Sequence, residues 1–227
     1  MSEISTPIIV VNFKCYTEAT GKRAQKLAKI AEEVGRGTNV CIAVASQCSD
    51  IFPIARETNI PVFAQHISPF EPGAHTGSIL AEAIKEAGAS GTLLNHSENR
   101  ISLGDVRKSI ELAKRNDLIS VCCAPDGQKA GEIARFGPDF VAFEVPELIG
   151  TGRAISKERP DSVREFVKIL SASNPKTVPL CGAGISTGED VRTAFELGTK
   201  GVLVASAIVK ASDPRLILEE MVMAARL

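Results

Sequence analysis

Tryptophan is missing from the 227-residue sequence, tyrosine occurs once, and aromatic residues make up 4% of the chain. That is too few to build the stacking platforms on which single-stranded nucleic acid is held. There is no cationic surplus either. Lysine plus arginine number 26 against 27 for aspartate plus glutamate, for a net charge of -1, so no basic patch is expected to neutralise a polyanion. No nucleic-acid partner is therefore expected. Long apolar runs are also lacking: the longest, 202–209, is broken by Ser206 and falls far short of the ~20 residues that cross a bilayer. No membrane partner is expected. The segment 1–7 has neither a basic start nor an apolar stretch of leader length. The six cysteines include no Cys-x-x-Cys pair. Cys41, Cys122, Cys123 and Cys181 sit inside apolar runs, where a free thiol behaves as a small buried hydrophobe. A cytoplasmic protein is the expectation.

What the chain does have is one pattern repeated along its length. Short β-branched runs fall at 8–12, 40–44, 62–65, 92–95, 119–124, 140–144, 177–181 and 202–204. Each is mostly apolar, as parallel strands buried on both faces require. Between them lie segments with helical periodicity. In the first, Ala24, Leu27, Ala28, Ala31 and Val34 share a face; in the sixth, Val163, Phe166, Val167 and Leu170 do so behind Pro160, which suits a first turn. Thr187 can cap the seventh, with Val191, Ala194 and Phe195 on one side. The last follows Asp213-Pro214 with Leu216, Ile217, Met221 and Val222 as its stripe. Eight strand–helix units, with no linker or compositional break, predict a single α/β domain over 1–227. Such alternation gives a parallel sheet with right-handed crossovers. Eight units favour its closure into a (β/α)8 barrel with short loops.

In such barrels the working residues lie at the C-terminal ends of the strands. If Val10 faces the interior, strand alternation carries Asn12 and Lys14 into the mouth. The fourth strand ends in Asn95-His96-Ser97-Glu98 and the sixth in Phe143-Glu144. A carboxylate finishing an apolar strand is costly unless paired or working. An ion pair with Lys14 is its plain structural reading; a lysine, an imidazole and a carboxylate around one mouth also suit proton abstraction next to a carbonyl. The segment 146–152, bounded by proline and glycine, has the length and ends of a lid. Gly182-Ala183-Gly184 after the seventh strand and Ala205-Ser206 after the eighth place small residues where backbone N–H groups can meet an anion.

These residues carry a family resemblance over essentially the whole chain. Asn12-Phe13-Lys14, Asn95-His96-Ser97-Glu98, the run 144–152, and Gly182-Ala183-Gly184 with Ala205-Ser206 resemble triosephosphate isomerases, in the short form seen in archaea. The resemblance implies a TIM barrel that interconverts dihydroxyacetone phosphate and glyceraldehyde 3-phosphate through an enediolate, in glycolysis and gluconeogenesis, with no cofactor and no metal. It implies Glu144 as general base, His96 as a neutral proton shuttle, and Lys14 and Asn12 as stabilisers of negative charge, with Glu98 holding Lys14. Phosphate binding would fall to Gly150, Gly184, Ala205 and Ser206, with Ile149 closing over the substrate. Gly73-Ala74-His75-Thr76-Gly77 resembles the family's third loop, which reaches into a neighbouring subunit, so a homo-oligomer is implied, tetrameric as in archaeal members or else dimeric. The chain departs from the usual pattern at Val145, where proline is common, at Gly184, where serine is common, and at Ala205-Ser206, where two glycines are common.

Other readings are weaker. A barrel for a larger phosphorylated metabolite would need a roomier mouth than these short loops leave. A Schiff-base aldolase would need a lysine inside strands six to eight, where none stands. A non-catalytic phosphometabolite binder would not need the lysine, histidine and carboxylate together. His66, His75 and His96 lack metal-ligand spacing.

Overall fold

A computed structural model describes residues 4–226 of the chain; Met1–Glu3, part of the segment read above for a leader, lie outside the described residues. Eight strands run β1 (Ile8–Asn12), β2 (Cys41–Ser46), β3 (Val62–Ala64), β4 (Gly91–Leu94), β5 (Ile119–Ala124), β6 (Phe140–Phe143), β7 (Val178–Cys181) and β8 (Gly201–Val204). They pair in chain order, and β8 pairs with β1 to close the barrel. Every pairing is parallel. Each strand lies within two residues of its predicted ends.

The helices are α1 (Lys22–Gly35), α2 (Cys48–Glu57), α3 (Ala81–Glu86), α4 (Leu103–Arg115), α5 (Gly127–Ala134), α6 (Ile155–Glu158), α7 (Pro160–Ser173), α8 (Gly188–Glu196), α9 (Ser206–Val209) and α10 (Pro214–Ala224). The eight expected units are all present among the described residues. The two extra segments, α6 and α9, are single turns in the loops after β6 and β8, where the chain crosses the mouth before its long helix begins.

Alternation along the strands builds two cores. Ile8, Val10, Ala43, Ala45, Phe63, Leu93, Val121, Cys123, Ala142, Leu180 and Leu203 fill the barrel. The opposite parity, with Ile9, Val11, Phe13, Ile42 and Val44, packs against the helices. On α7, Val163, Phe166 and Leu170 are fully buried, each adding about 1.5–3 kcal/mol by leaving water; Phe166 stacks on Phe143 with centroids 4.9 Å apart. Thr187 caps α8 in a reciprocal box with Asp190, and Pro160 and Pro214 open α7 and α10.

One stripe needs correction. Leu216 is 61% exposed, whereas Leu218, Met221 and Val222 are buried. Starting at Pro214, α10 turns its 218/221/222 face to the barrel, which puts residue 216 on the far side. Cys41 is only half-buried, because it starts β2 at the barrel's bottom rim.

Candidate active site

The candidate site forms where interior-facing lines of side chains run past the strand ends. Phe140 and Ala142 point inward, and Glu144 continues their line from the end of β6. Its N–H still donates to Ala124 O at 2.9 Å, and the side chain is almost fully buried. Alternation alone does not account for the other two groups. Leu94 faces the helices, so a straight strand would aim His96 outward as well. Asn95 instead takes φ 56, turning the chain so that the imidazole enters the mouth. Lys14 itself has φ 48, so it reaches the mouth through a left-handed turn, not along an extended line. Left-handed backbone costs a residue with a Cβ about 1–2 kcal/mol, and local hydrogen bonds hold it. Lys14 N–H donates to Asn12 Oδ1 at 2.9 Å, and Gln65 Nε2 donates to Lys14 O at 2.8 Å. At the second turn, Arg100 donates to Asn95 O at 2.7 Å, and Asn95 Nδ2 donates to Cys123 O at 2.9 Å.

The groups meet in a chain of contacts. Lys14 Nζ lies 2.5 Å from Glu98 Oε1. The Glu98 N–H donates to His96 Nδ1 at 3.1 Å. With Nδ1 accepting, the ring's proton sits on Nε2, which faces Glu144 Oε1 at 3.2 Å. Ser97 N–H reaches the other oxygen, Oε2, at 3.4 Å. The result is a neutral imidazole aimed at a buried carboxylate, beside a lysine fixed by its own counter-ion.

Gly182, after β7, forms the floor beneath Glu144. A Cβ there would come 2.9 Å from Glu144 Cγ. Asn12, Lys14, His96, Glu144, Ile149, Gly150, Gly184, Ala205 and Ser206 all line one cavity, joined by Gly152, Gly182 and Ser186. The predicted residues are therefore brought together, with Glu98 at the rim holding Lys14. The segment 146–152, read above as a lid, begins as a 3-10 turn at Pro146–Leu148 and leaves through left-handed Gly150 and Gly152, φ 73 and 72. Val145 has φ -76, close to the angle a proline would fix there.

A family model described as triosephosphate isomerase matches residues 7–224. The chain belongs to the triosephosphate isomerase family. Its relatives include the triosephosphate isomerases of Methanothermus fervidus, 49% identical with 95% of this chain and 97% of that protein covered, and of Methanobacterium bryantii, 49% identical over 98% and 99%. The crystal structure of triosephosphate isomerase from Bartonella henselae superimposes with a TM-score of 0.78 at 19% identity, covering 98% of this chain and 100% of that one; this second likeness concerns the fold. As a member of the triosephosphate isomerase family, the chain is an isomerase of a triose phosphate.

Reading the sequence missed two neighbours that this triosephosphate isomerase fold brings in. Gln65 bonds Lys14 O, as above, and Ala45 O at 3.1 Å, buttressing the first turn. Phe63 points inward, so the parity that located Asn12 would have located Gln65 as well. Cys123 shares the interior line of Val121 and abuts Glu144; burial, and then the adjacent carboxylate, push its thiol well above the usual range. Among the described residues no helix is long and apolar enough to cross a membrane.

Proposed function

We propose that Glu144, His96, Lys14 and Asn12 carry the interconversion of dihydroxyacetone phosphate and D-glyceraldehyde 3-phosphate, without metal or cofactor. The observation that supports this best is the neutral Nε2–H of His96 set 3.2 Å from the buried Glu144 carboxylate. Glu144 takes a proton from the carbon next to the carbonyl and returns it to the neighbouring carbon. His96 Nε2–H polarises the carbonyl and moves protons between the two enediolate oxygens. Lys14 Nζ and the Asn12 amide stabilise the oxyanion. Acid–base catalysis contributes about 10²–10⁴-fold, and charge stabilisation in a dry site supplies much of the remainder. Backbone N–H groups around Gly150, Gly184, Ala205 and Ser206 take the phosphate, and Ile149 closes the site. Phosphate binding then drives lid closure and shields the enediolate from water.

The test is a coupled assay with glyceraldehyde 3-phosphate in the presence of chelator, where full turnover is expected; failure to turn over would overturn the reading. In the same assay, His96→Gln is expected to lower kcat about 100-fold with KM changed only a few-fold. A variant whose only defect is weaker binding would remove the shuttle role.

The chain serves in this reading as one (β/α)8 domain over 1–227, in the cytoplasm, within glycolysis and gluconeogenesis. It works as a homo-oligomer, a tetramer ahead of a dimer. Support for the oligomer comes from a cavity of about 520 Å³ lined by Asn12, Lys14, Cys15, Gln65, His96 and Glu98, which shares its wall with the catalytic groups. The loop 71–77, exposed throughout, is the part that would fill it. Phe70 stacks on His75 at 4.4 Å and stiffens its base. A neighbouring subunit's loop seated in that cavity would cover Lys14 and its ion pair from behind. Sedimentation at micromolar concentration should show the oligomer. A monomer alone would remove the contact role of His75 and Thr76.

A further inference from the structure

The chemistry above makes no use of Asp190, yet this carboxylate is 4% exposed and holds three pieces of the phosphate-side wall together. Its Oδ2 accepts from the N–H groups of Ser186 and Thr187, both at 3.0 Å. Its Oδ1 lies 2.9 Å from Lys157 Nζ. Its own carbonyl accepts from Ser156 Oγ at 3.2 Å. Ser156 and Lys157 belong to α6, which begins three residues after Gly152, the last glycine of the proposed lid, and Ile155 N–H donates to Ala183 O at 3.0 Å. One buried group thus joins the loop after β7, the first turn of α8 and the segment where the lid ends. Burial pushes the Asp190 carboxyl up, but Lys157 and the N–H groups of Ser186 and Thr187 outweigh it and hold it below its ordinary range. Glu189 also touches Lys157, at 2.8 Å, but its side chain is 77% exposed and bonds no loop N–H.

We propose that Asp190 and Lys157 are a positioning pair that sets the backbone N–H groups of the loop after β7 for the substrate's phosphate and keeps the lid's distal hinge registered to them. Between Gly182 and Thr187 the chain has no regular ladder to define it. A loop of that kind presents its donors in a fixed direction only where a side chain pins it, and here the pin is itself tied to the lid. The inference rests on the phosphate being bound in the cavity between Gly150, Gly184 and Ser206.

The test compares glyceraldehyde 3-phosphate with unphosphorylated D-glyceraldehyde, using inorganic phosphate as a competitive inhibitor. In Lys157→Met and Asp190→Asn, the Ki for phosphate and the KM for glyceraldehyde 3-phosphate are expected to rise about tenfold, the scale of one charge-assisted contact. The kcat/KM for D-glyceraldehyde should stay within about twofold of wild type, because that substrate carries no group for the loop to hold. Lys157→Arg should restore phosphate inhibition. Equal losses on both substrates would reduce the pair to a fold-stabilising role and overturn the proposal, as would an unchanged phosphate Ki in both variants. Lys157 is 40% exposed at its side chain, so its replacement is expected to be tolerated better than Asp190→Asn, and thermal melting of both variants checks that each is folded. If phosphate failed to compete in the wild type, the phosphate assignment itself would fall, and the role of the pair with it.

Discussion

Glu144→Asp is expected to lower kcat by about 10²–10³-fold, because misplacing a reacting group by ~1 Å can cost 10²-fold and a general base, the role proposed for Glu144, supplies 10²–10⁴. The site leaves no room for the shorter side chain to compensate. Glu144 springs from the end of β6, where its N–H is held by Ala124 O at 2.9 Å, so the backbone is not free to advance by a methylene. Its carboxylate oxygens are spaced to meet His96 Nε2 at 3.2 Å and Ser97 N–H at 3.4 Å. A Cβ at Gly182 would stand 2.9 Å from Glu144 Cγ, so the side chain lies where it does because that position is glycine. Aspartate therefore withdraws toward β6 and loses both contacts. The proposed phosphate donors are backbone groups on other loops, so inhibition by inorganic phosphate should stay near its wild-type strength. Steady-state kcat alongside phosphate Ki checks this. Near-normal turnover would remove Glu144 from the role of base.

Gly184→Ala is expected to damage the other half of the site. Gly184 has φ 71, and a Cβ there would stand 1.9 Å from Arg153 O and 2.5 Å from its carbonyl carbon. Both obstacles are backbone, so no side chain can rotate away. The left-handed conformation alone costs alanine about 1–2 kcal/mol, and overpacking adds about 1–3 kcal/mol. Relieving the clash requires 153–154 to move away from the loop after β7, which would separate the proposed lid's distal end from the proposed phosphate donors. The expected result is a rise in phosphate Ki of at least tenfold, with a melting temperature lower by several degrees. Gly150→Ala is the control. Its φ is 73, but nothing lies within 4 Å of its Cβ position, so only the conformational cost applies. Equal effects at the two positions would show that the close approach to Arg153 is unimportant.

The difference between these glycines shows where reading the sequence stopped. Gly150 and Gly184 look alike in the chain, each a small residue flanking a suspected anion site. Only the packed structure places the Arg153 backbone against one of them. His96 makes the same point. Its place at the end of the fourth strand was legible, but alternation would have turned it toward the helices. The left-handed Asn95 turns it inward, and that turn is held by Arg100 and by the Cys123 carbonyl of the neighbouring strand. Lys14 was expected along an extended line and arrives through a left-handed turn, fixed by Gln65 just past β3. The stripe of α10 was misread at Leu216, since periodicity gives the spacing of a face but not which of two adjacent phases meets the barrel.

By itself the sequence determined the number of strands, their order, the alternation that separates the two cores, and the strand ends at which chemistry is found. These follow from apolar periodicity, proline and capping residues, all properties of neighbours along the chain. The tertiary structure alone decided which nitrogen of His96 accepts a backbone N–H, how Lys14 enters the mouth, and how Lys157 is tied to the loop after β7 through Asp190. Each of those depends on a backbone N–H, carbonyl or side chain brought from a distant strand or loop by barrel closure, and no local pattern encodes which distant group will be the one to arrive.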